Sequence, residues 1–174
     1  MSLKVISLFL CLFIFGVSEI YSQNRYNYLY ETTGDVLEDG ELFLKYDMSK
    51  VTGIVYGEGD WAFEFSYKNG RRDGVSKRWK YDKIQDEIYF LNGKRDGRSR
   101  SWSSNEQLTF EGYYLKGKEN GKFVWYSIWG KKIAEENYIS GKKDGECKYY
   151  DENGELKFIE YFKNDVFIRT TENP

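Results

Sequence analysis

Hydrophobic positions along the chain fall into one uncharged run of thirteen, residues 5–17, and after it into short stretches parted by polar segments rich in glycine. The short stretches repeat. Residues 69–81 (NGRRDGVSKRWKY) return as 92–102 (NGKRDGRSRSW), 116–126 (KGKENGKFVWY) and 140–150 (SGKKDGECKYY). Their first glycines, Gly70, Gly93, Gly117 and Gly141, stand 23, 24 and 24 residues apart. An aromatic precedes each first glycine by three positions, as Tyr67, Phe90, Tyr114 and Tyr138, and Tyr161 keeps that distance before Asn164. After the second glycines, Gly74, Gly97, Gly121 and Gly145, an aromatic follows at five positions, as Trp79, Trp102, Tyr126 and Tyr150.

This pattern predicts a two-stranded unit with strands of about six residues. A tight turn falls on the Gly-x-x-Asp/Asn-Gly segment and a looser one on stretches such as 81–83, 103–106, 129–130 and 153–154. Glycine supplies positive φ in the tight turn, and Asp or Asn bonds its own backbone. A lone hairpin is marginal in water, so consecutive hairpins must stack into one antiparallel ribbon and share their aromatic faces. The expected fold is therefore all-β, an elongated single-layer antiparallel ribbon of stacked β-hairpin repeats over residues 51–165. Its first unit, around VTGIVY, is degenerate. Its last strand, 157–163, ends where Asn164 replaces the glycine, leaving 166–174 as a C-terminal tail. A leucine-rich repeat has a similar period but needs a leucine column, and here the columns hold aromatics and glycines. Residues 23–50 do not fit the repeat, carry three basic against six acidic residues, and are expected to supply one or two strands that cap an open sheet edge.

The recurring Tyr/Phe-x-x-Gly-x-x-Asp/Asn-Gly, followed by a Trp or Tyr strand and by turns such as DENG at 151–154, resembles the MORN repeat variant family of bacterial proteins. The likeness covers residues 51–165. It implies the same elongated, twisted, single-layer β-array, and some members of that family are labelled as toxin-antitoxin antitoxins. The family pattern also carries a Trp or Phe two residues after the second glycine. Here that position keeps an aromatic only at Phe123, which weakens the expected packing on that face.

Composition agrees with the array. Sixteen Tyr, twelve Phe and five Trp, with 31% charged residues, point to an aromatic rather than a thick aliphatic core. The N-terminal run reads as a secretory signal peptide over residues 1–22, with Lys4 before it, a polar exit after it and Ser22 at the junction. As a membrane anchor it would be short, since thirteen helical residues cover about 20 Å of a roughly 30 Å hydrocarbon core. Cys11 lies inside the run rather than closing it, as a lipoprotein cysteine would, so the exported chain keeps only Cys147 and forms no internal disulfide. Cys147 occupies a strand position held elsewhere by Ser76, Ser99 and Phe123, which favours packing over thiol chemistry.

The catalytic and cofactor readings are weak. The glycine turns differ from phosphate loops in that no amphipathic helix follows them. Glu64, Glu87, Glu111 and Glu135 each stand six residues before a first glycine. Strand parity puts that column opposite the aromatics three residues on, among solvent-exposed charges suited to cross-strand pairing with Lys and Arg. The neighbours Asp86 and Glu87, like Glu135 and Glu136, point to opposite faces and cannot act as paired carboxylates. The chain has no histidine, which removes the commonest general base and metal ligand. No enzyme, metal or cofactor is expected.

Charge distribution carries more information than the net −2. Residues 71–132 hold fifteen Lys and Arg against eight Asp and Glu, whereas 133–174 hold six against ten. Arg71, Arg72, Lys94, Arg95, Lys118, Lys142 and Lys143 all fall in the tight-turn segments, so stacking aligns them along one ribbon edge. Such an edge suits an acidic protein, an anionic lipid surface or an acidic glycan; as a plain solvated edge it would serve only solubility. Nucleic acid is the least suitable partner for an exported chain. Among the tryptophans, Trp61, Trp79 and Trp102 read as core, while Trp125 and Trp129 break the column and are the candidates for exposed contacts. The expected function is that of a secreted or periplasmic, non-catalytic protein-interaction or scaffolding module. The alternatives are an envelope, polysaccharide or anionic-lipid binder and an antitoxin-like inhibitor of a toxin.

Overall fold

A computed structural model describes residues 25–27, 50 and 52–172. The leader, Cys11 and most of the expected N-terminal cap lie outside the described residues. The described chain is all-β. Its strands are β1 (Arg25–Asn27), β2 (Gly53–Gly57), β3 (Trp61–Lys68), β4 (Arg71–Lys80), β5 (Lys83–Leu91), β6 (Lys94–Trp102) and β7 (Leu108–Leu115). They continue as β8 (Lys118–Glu119), β9 (Gly121–Tyr126), β10 (Lys132–Ile139), β11 (Lys142–Lys143), β12 (Gly145–Tyr150), β13 (Leu156–Lys163) and β14 (Val166–Glu172). One open sheet contains them all, with neighbours in chain order; β8 and β11 are short leads into β9 and β12, interrupted at Asn120 and Asp144. Every pairing is antiparallel except that of β1, which lies parallel to β2 as Arg25 meets Ile54.

Each tight turn is shorter than the motif suggests. Asn69 (φ 50°) and Gly70 (φ 78°) alone connect Lys68 to its cross-strand partner Arg71. Two successive residues with positive φ define a turn whose twist matches that of the flanking strands. Asn92-Gly93, Lys116-Gly117 and Ser140-Gly141 repeat it. The basic residues after the turn are therefore strand residues, which is why β3 to β7 run to eight to ten residues. The second glycine belongs to a bulge rather than to the turn. Gly74 and Gly97 have φ of 101° and 111°, and the register shifts opposite them, between Phe65 and Tyr67 and between Ile88 and Phe90; glycine is the residue a bulge of this kind favours.

The last unit completes the series instead of ending it. Asn164 (φ 49°) stands where Asn69 and Asn92 stand, and Asp165 (φ 68°) takes the glycine's place. The aromatic equivalent to Tyr138 is consequently Phe162, paired with Gly145 as Tyr138 is with Gly121, and not Tyr161. The expected tail is also corrected: Val166–Glu172 returns as β14 along β13.

The two aromatic columns lie on opposite faces. Phe90, Tyr114 and Tyr138 share a face with Phe65, Phe110, Phe123 and Trp125, whereas Trp79, Trp102, Tyr126 and Tyr150 accompany the charged column on the other. The best-packed part of the first face surrounds Phe123, which is 2% exposed. Its ring is 5.3 Å from Tyr114, 5.0 Å from Tyr138 and 5.8 Å from Phe110, centroid to centroid. Phe123 fits because its neighbour across the ladder is Gly112, where any Cβ would lie 2.5 Å from the ring. Where the column holds Ser76 and Ser99 the large partner is Ile88, so bulk alternates with small residues along the ribbon. Gly112→Ala is accordingly expected to destabilise the chain by about 1–3 kcal/mol through overpacking, read as a lower chemical-denaturation midpoint; an unchanged midpoint would mean that Phe123 is not seated on Gly112.

Candidate functional site

The tight turns stack along one edge and are clasped to one another. The turn N–H of Asn92 donates to Asp73 Oδ2 at 3.0 Å, that of Lys116 to Asp96 Oδ2 at 3.0 Å, that of Ser140 to Asn120 Oδ1 at 3.4 Å and that of Asn164 to Asp144 Oδ2 at 3.3 Å. The following residue donates to the same neighbour's backbone, Gly93 to Arg72 O at 2.7 Å and Gly117 to Arg95 O at 2.8 Å. The Asp/Asn of the motif thus holds the next repeat's turn, not its own backbone.

This stacking divides the seven basic residues into two rows. Arg71, Lys94, Lys118 and Lys142 are exposed, and the stems of the first three lie over Gly93, Gly117 and Gly141 of the next unit. Lys94, Lys118 and Lys142 make no ion pair among the described residues. The inner row, by contrast, is engaged by the scaffold. Arg72 lies 4.0 Å over Phe65 and 5.2 Å over Phe90, and Arg95 lies 5.1 Å over Tyr114 while donating to its hydroxyl at 3.2 Å. Lys143 sits 2.7 Å from Glu136 and 5.3 Å over Phe162. A guanidinium or ammonium over a ring is attracted by the ring's negative face.

Directly across the turns from the outer lysines stands a row the sequence reading missed. Leu91 pairs with Lys94, Leu115 with Lys118 and Ile139 with Lys142, and these aliphatic side chains are 52%, 50% and 55% exposed. Tyr89 and Tyr113 are also exposed, two residues before Leu91 and Leu115 on the same face. The signal was present in the sequence, since the residue just before each of these turn dipeptides is aliphatic. Together the rows form an amphipathic strip with a spacing of about 9.5 Å per repeat along the ribbon.

The glutamate column runs down the face opposite Phe90, Tyr114 and Tyr138, as parity requires, and its members meet cations. Glu64 pairs across the strands with Lys77, Glu87 with Lys77 and Arg100, Glu111 with Arg100, and Glu135 with Lys148. Glu87 and Glu135, however, are 7% and 6% exposed, not solvated. The aromatic column on that face contributes to their cover: Arg100 lies 5.2 Å over Trp102 and Lys132 lies 5.8 Å over Tyr150. Burial alone would raise both carboxyls, but Arg100 with Lys77, and Lys132 with Lys122, hold them below the ordinary value. Among the described residues no cluster of His, Cys, Asp or Glu is arranged to hold a metal ion. Asp86 and Glu136 point to the other face, apart from Glu87 and Glu135.

Glu136 is the polar centre of the aromatic face. It accepts hydrogen bonds from Tyr138 at 2.5 Å, Tyr149 at 3.1 Å and Lys143 at 2.7 Å. Burial pushes its carboxyl up, and Lys143 and the two phenols outweigh that and keep it low. The phenols of Tyr138 and Tyr149 are pushed up by burial and by the same carboxylate. Cys147, fully buried beside this group, has its thiol raised by burial and packs as a small apolar residue.

The two tryptophans chosen for contact part company. Trp125 is half-buried, 5.6 Å from Phe110 and 6.1 Å from Phe123, whereas Trp129 is 77% exposed on the loose-turn edge. Its turn, 127–131, is built like 103–107 and 151–155. In each, the first N–H donates to the fifth carbonyl, at 2.7, 2.9 and 2.9 Å respectively, and the fourth N–H returns to the first carbonyl. At the second and third positions the sister turns carry Ser104-Asn105 and Glu152-Asn153, and this one Ile128-Trp129. An open cleft of about 400 Å³ lies on the same edge beside Tyr56, Ala62, Phe63 and Trp79. No helix among the described residues is long and apolar enough to cross a membrane.

No protein-family model and no curated protein matches this chain. Among solved structures it is similar to part of a crystal structure of accessory secretory protein 1, 2 and 3 in Streptococcus pneumoniae. The match has 15% identity and a TM-score of 0.23, over 61% of this chain and 18% of that one.

Because the folded Glu136 carboxyl sits below its ordinary value of 4.5, its contribution to stability is present above that value and is lost as the pH falls through the lower folded value. Acid titration of the unfolding midpoint is expected to show a loss of stability below about pH 4.5 that is smaller in Glu136→Gln. Equal acid limbs in the two chains would show that Glu136 is not the group responsible.

Proposed function

We propose that this chain is an exported, non-catalytic repeat protein that acts as a protein-interaction or scaffolding module, its tight-turn edge being the contact surface. The observation that carries the reading is the strip in which Lys94, Lys118 and Lys142 stand opposite the exposed Leu91, Leu115 and Ile139. Exposed aliphatic side chains do not stabilise a soluble edge, and lysines that make no ion pair among the described residues do not either. Side by side they suit a partner that is both acidic and apolar, with the aliphatic groups supplying affinity and the charges orientation and encounter rate. The likeness to MORN variant repeats is compatible with this, as is the leader-like run at residues 5–17.

A non-catalytic role is supported by the chemistry available. With no histidine in the sequence, acid–base work would fall to carboxylates, and Glu87, Glu135 and Glu136 are each held ionised by cations. A pull-down from envelope extract is the test. The chain freed of residues 1–22 is expected to retain a discrete protein that Lys94→Ser/Lys118→Ser/Lys142→Ser loses and that Trp129→Ser keeps. Retention by the triple variant would move the site off the turn edge, and capture of glycan or lipid instead of protein would replace the reading with an envelope-binding one.

A further inference from the structure

The loose-turn edge carries two features that the proposed partner surface does not use, a protruding apolar tip and an open cleft of aromatic and acidic side chains. The tip is Ile128 and Trp129, 52% and 77% exposed, in a turn whose two sisters are polar at the same positions. It is firmly held: Ser127 Oγ accepts from the N–H of Trp129 at 3.3 Å and of Lys131 at 3.2 Å, and Asn105 donates to Ile128 O at 3.2 Å. A rigid turn that exposes an indole is arranged for contact, because ordering it costs nothing further on binding.

The cleft has the complementary character. Tyr56, Ala62, Phe63 and Trp79 line it with apolar surface, and Glu58, Glu64 and Asp82 add carboxylates. A buried indole N–H needs an acceptor, which these carboxylates provide. Lys131, next to the tip, whose Nζ among the described residues donates only to the neutral carbonyl of Glu152, brings the opposite charge.

Tip and cleft also stand in a relation that permits closure. Both are on the loose-turn edge, two repeats apart, with the turn at 103–107 between them. Two ribbons laid edge to edge and antiparallel, with a two-fold axis near that polar turn, place each tip against the other's cleft. A symmetric pair of this kind uses both contacts and stops at two. We infer that the chain forms a two-fold dimer in which the Ile128-Trp129 tip of each copy occupies the cleft between Tyr56 and Trp79 of the other, with Lys131 facing Asp82 and Glu58. This goes beyond the interaction reading and leaves the tight-turn edge of both copies free.

Sedimentation velocity of residues 23–174 tests it. The wild type is expected to show a concentration-dependent dimer, and Trp129→Ser to weaken it by about tenfold or more, as loss of a central anchor does. Because Trp129 is exposed, the variant keeps its fold, which far-UV circular dichroism checks. Asp82→Lys should weaken the dimer as well, and adding Lys131→Glu to it should restore association. The inference is overturned by a wild type that remains monomeric at about 100 µM, or by a dimer unmoved by Trp129→Ser. It is equally overturned by a charge-swapped pair that fails to recover, or by a mass that grows without limit, which would mean an open head-to-tail contact.

Discussion

The clasp between a turn N–H and the Asp or Asn side-chain oxygen of the preceding repeat is the contact on which the ribbon depends. A hairpin of two short strands is marginal alone, and here each one hangs its turn on its neighbour through two donors, as Asn92 and Gly93 do on Asp73 and Arg72. The bulge at the second glycine leaves Asp73 and Asp96 beside the ladder, where the carboxylate meets the next turn. Glycine and aspartate in the motif are thus one device, the first opening the ladder and the second closing the gap with a charged acceptor. Since every clasp is made in the same register, it also decides which side chains line the edge. The lysine and aliphatic rows are aligned because the turns beneath them are.

A single-layer ribbon has no second layer against which to bury a face, and the chain solves this twice. On one face aromatic rings lean on one another and on Gly112, with Glu136 satisfied at their centre by two phenols and Lys143. On the other, glutamates alternate with lysines and arginines whose stems cover both the carboxylates and the neighbouring Trp102 and Tyr150. Long basic side chains carry considerable apolar surface and serve as a thin outer layer. Glu87 and Glu135 are buried by this cover, which is why strand parity placed them on the correct face but misjudged their exposure.

What was legible in the sequence was whatever recurs. The 23 to 24 residue period, the hairpins, the single sheet and the opposition of adjacent carboxylates all follow from spacing and parity. What was not legible depends on two extra residues in the ladder at Gly74 and at Gly97. Spacing does not distinguish a glycine in a turn from one in a bulge, here one that sets Arg72 to Ser76 against Tyr67 to Phe65. A separate error lay in aligning the last repeat on Asn164, although Asp165 adopts the glycine's positive φ; this chose Tyr161 over Phe162 and left Val166–Glu172 as a tail. At the candidate edge, composition identified the basic residues but not their division into rows, because whether a cation faces solvent or a ring is decided across strands. Arg72 over Phe65 and Lys94 over Gly117 have nearly the same local sequence context.

That division has a consequence for how such a surface changes. The inner row carries structural duty, since Arg72, Arg95 and Lys143 each hold an aromatic ring or the buried Glu136 in place. Lys94, Lys118 and Lys142 and the aliphatic residues across the turns from them carry none among the described contacts, beyond the stems lying over glycine. Substitution at Lys94, Lys118, Leu91 or Leu115 therefore acts on the surface while leaving the clasp and both faces intact. Scaffold contacts and exposed surface are separated on alternate side chains of the same strand, so one edge of the ribbon can be altered residue by residue without disturbing the repeat that presents it.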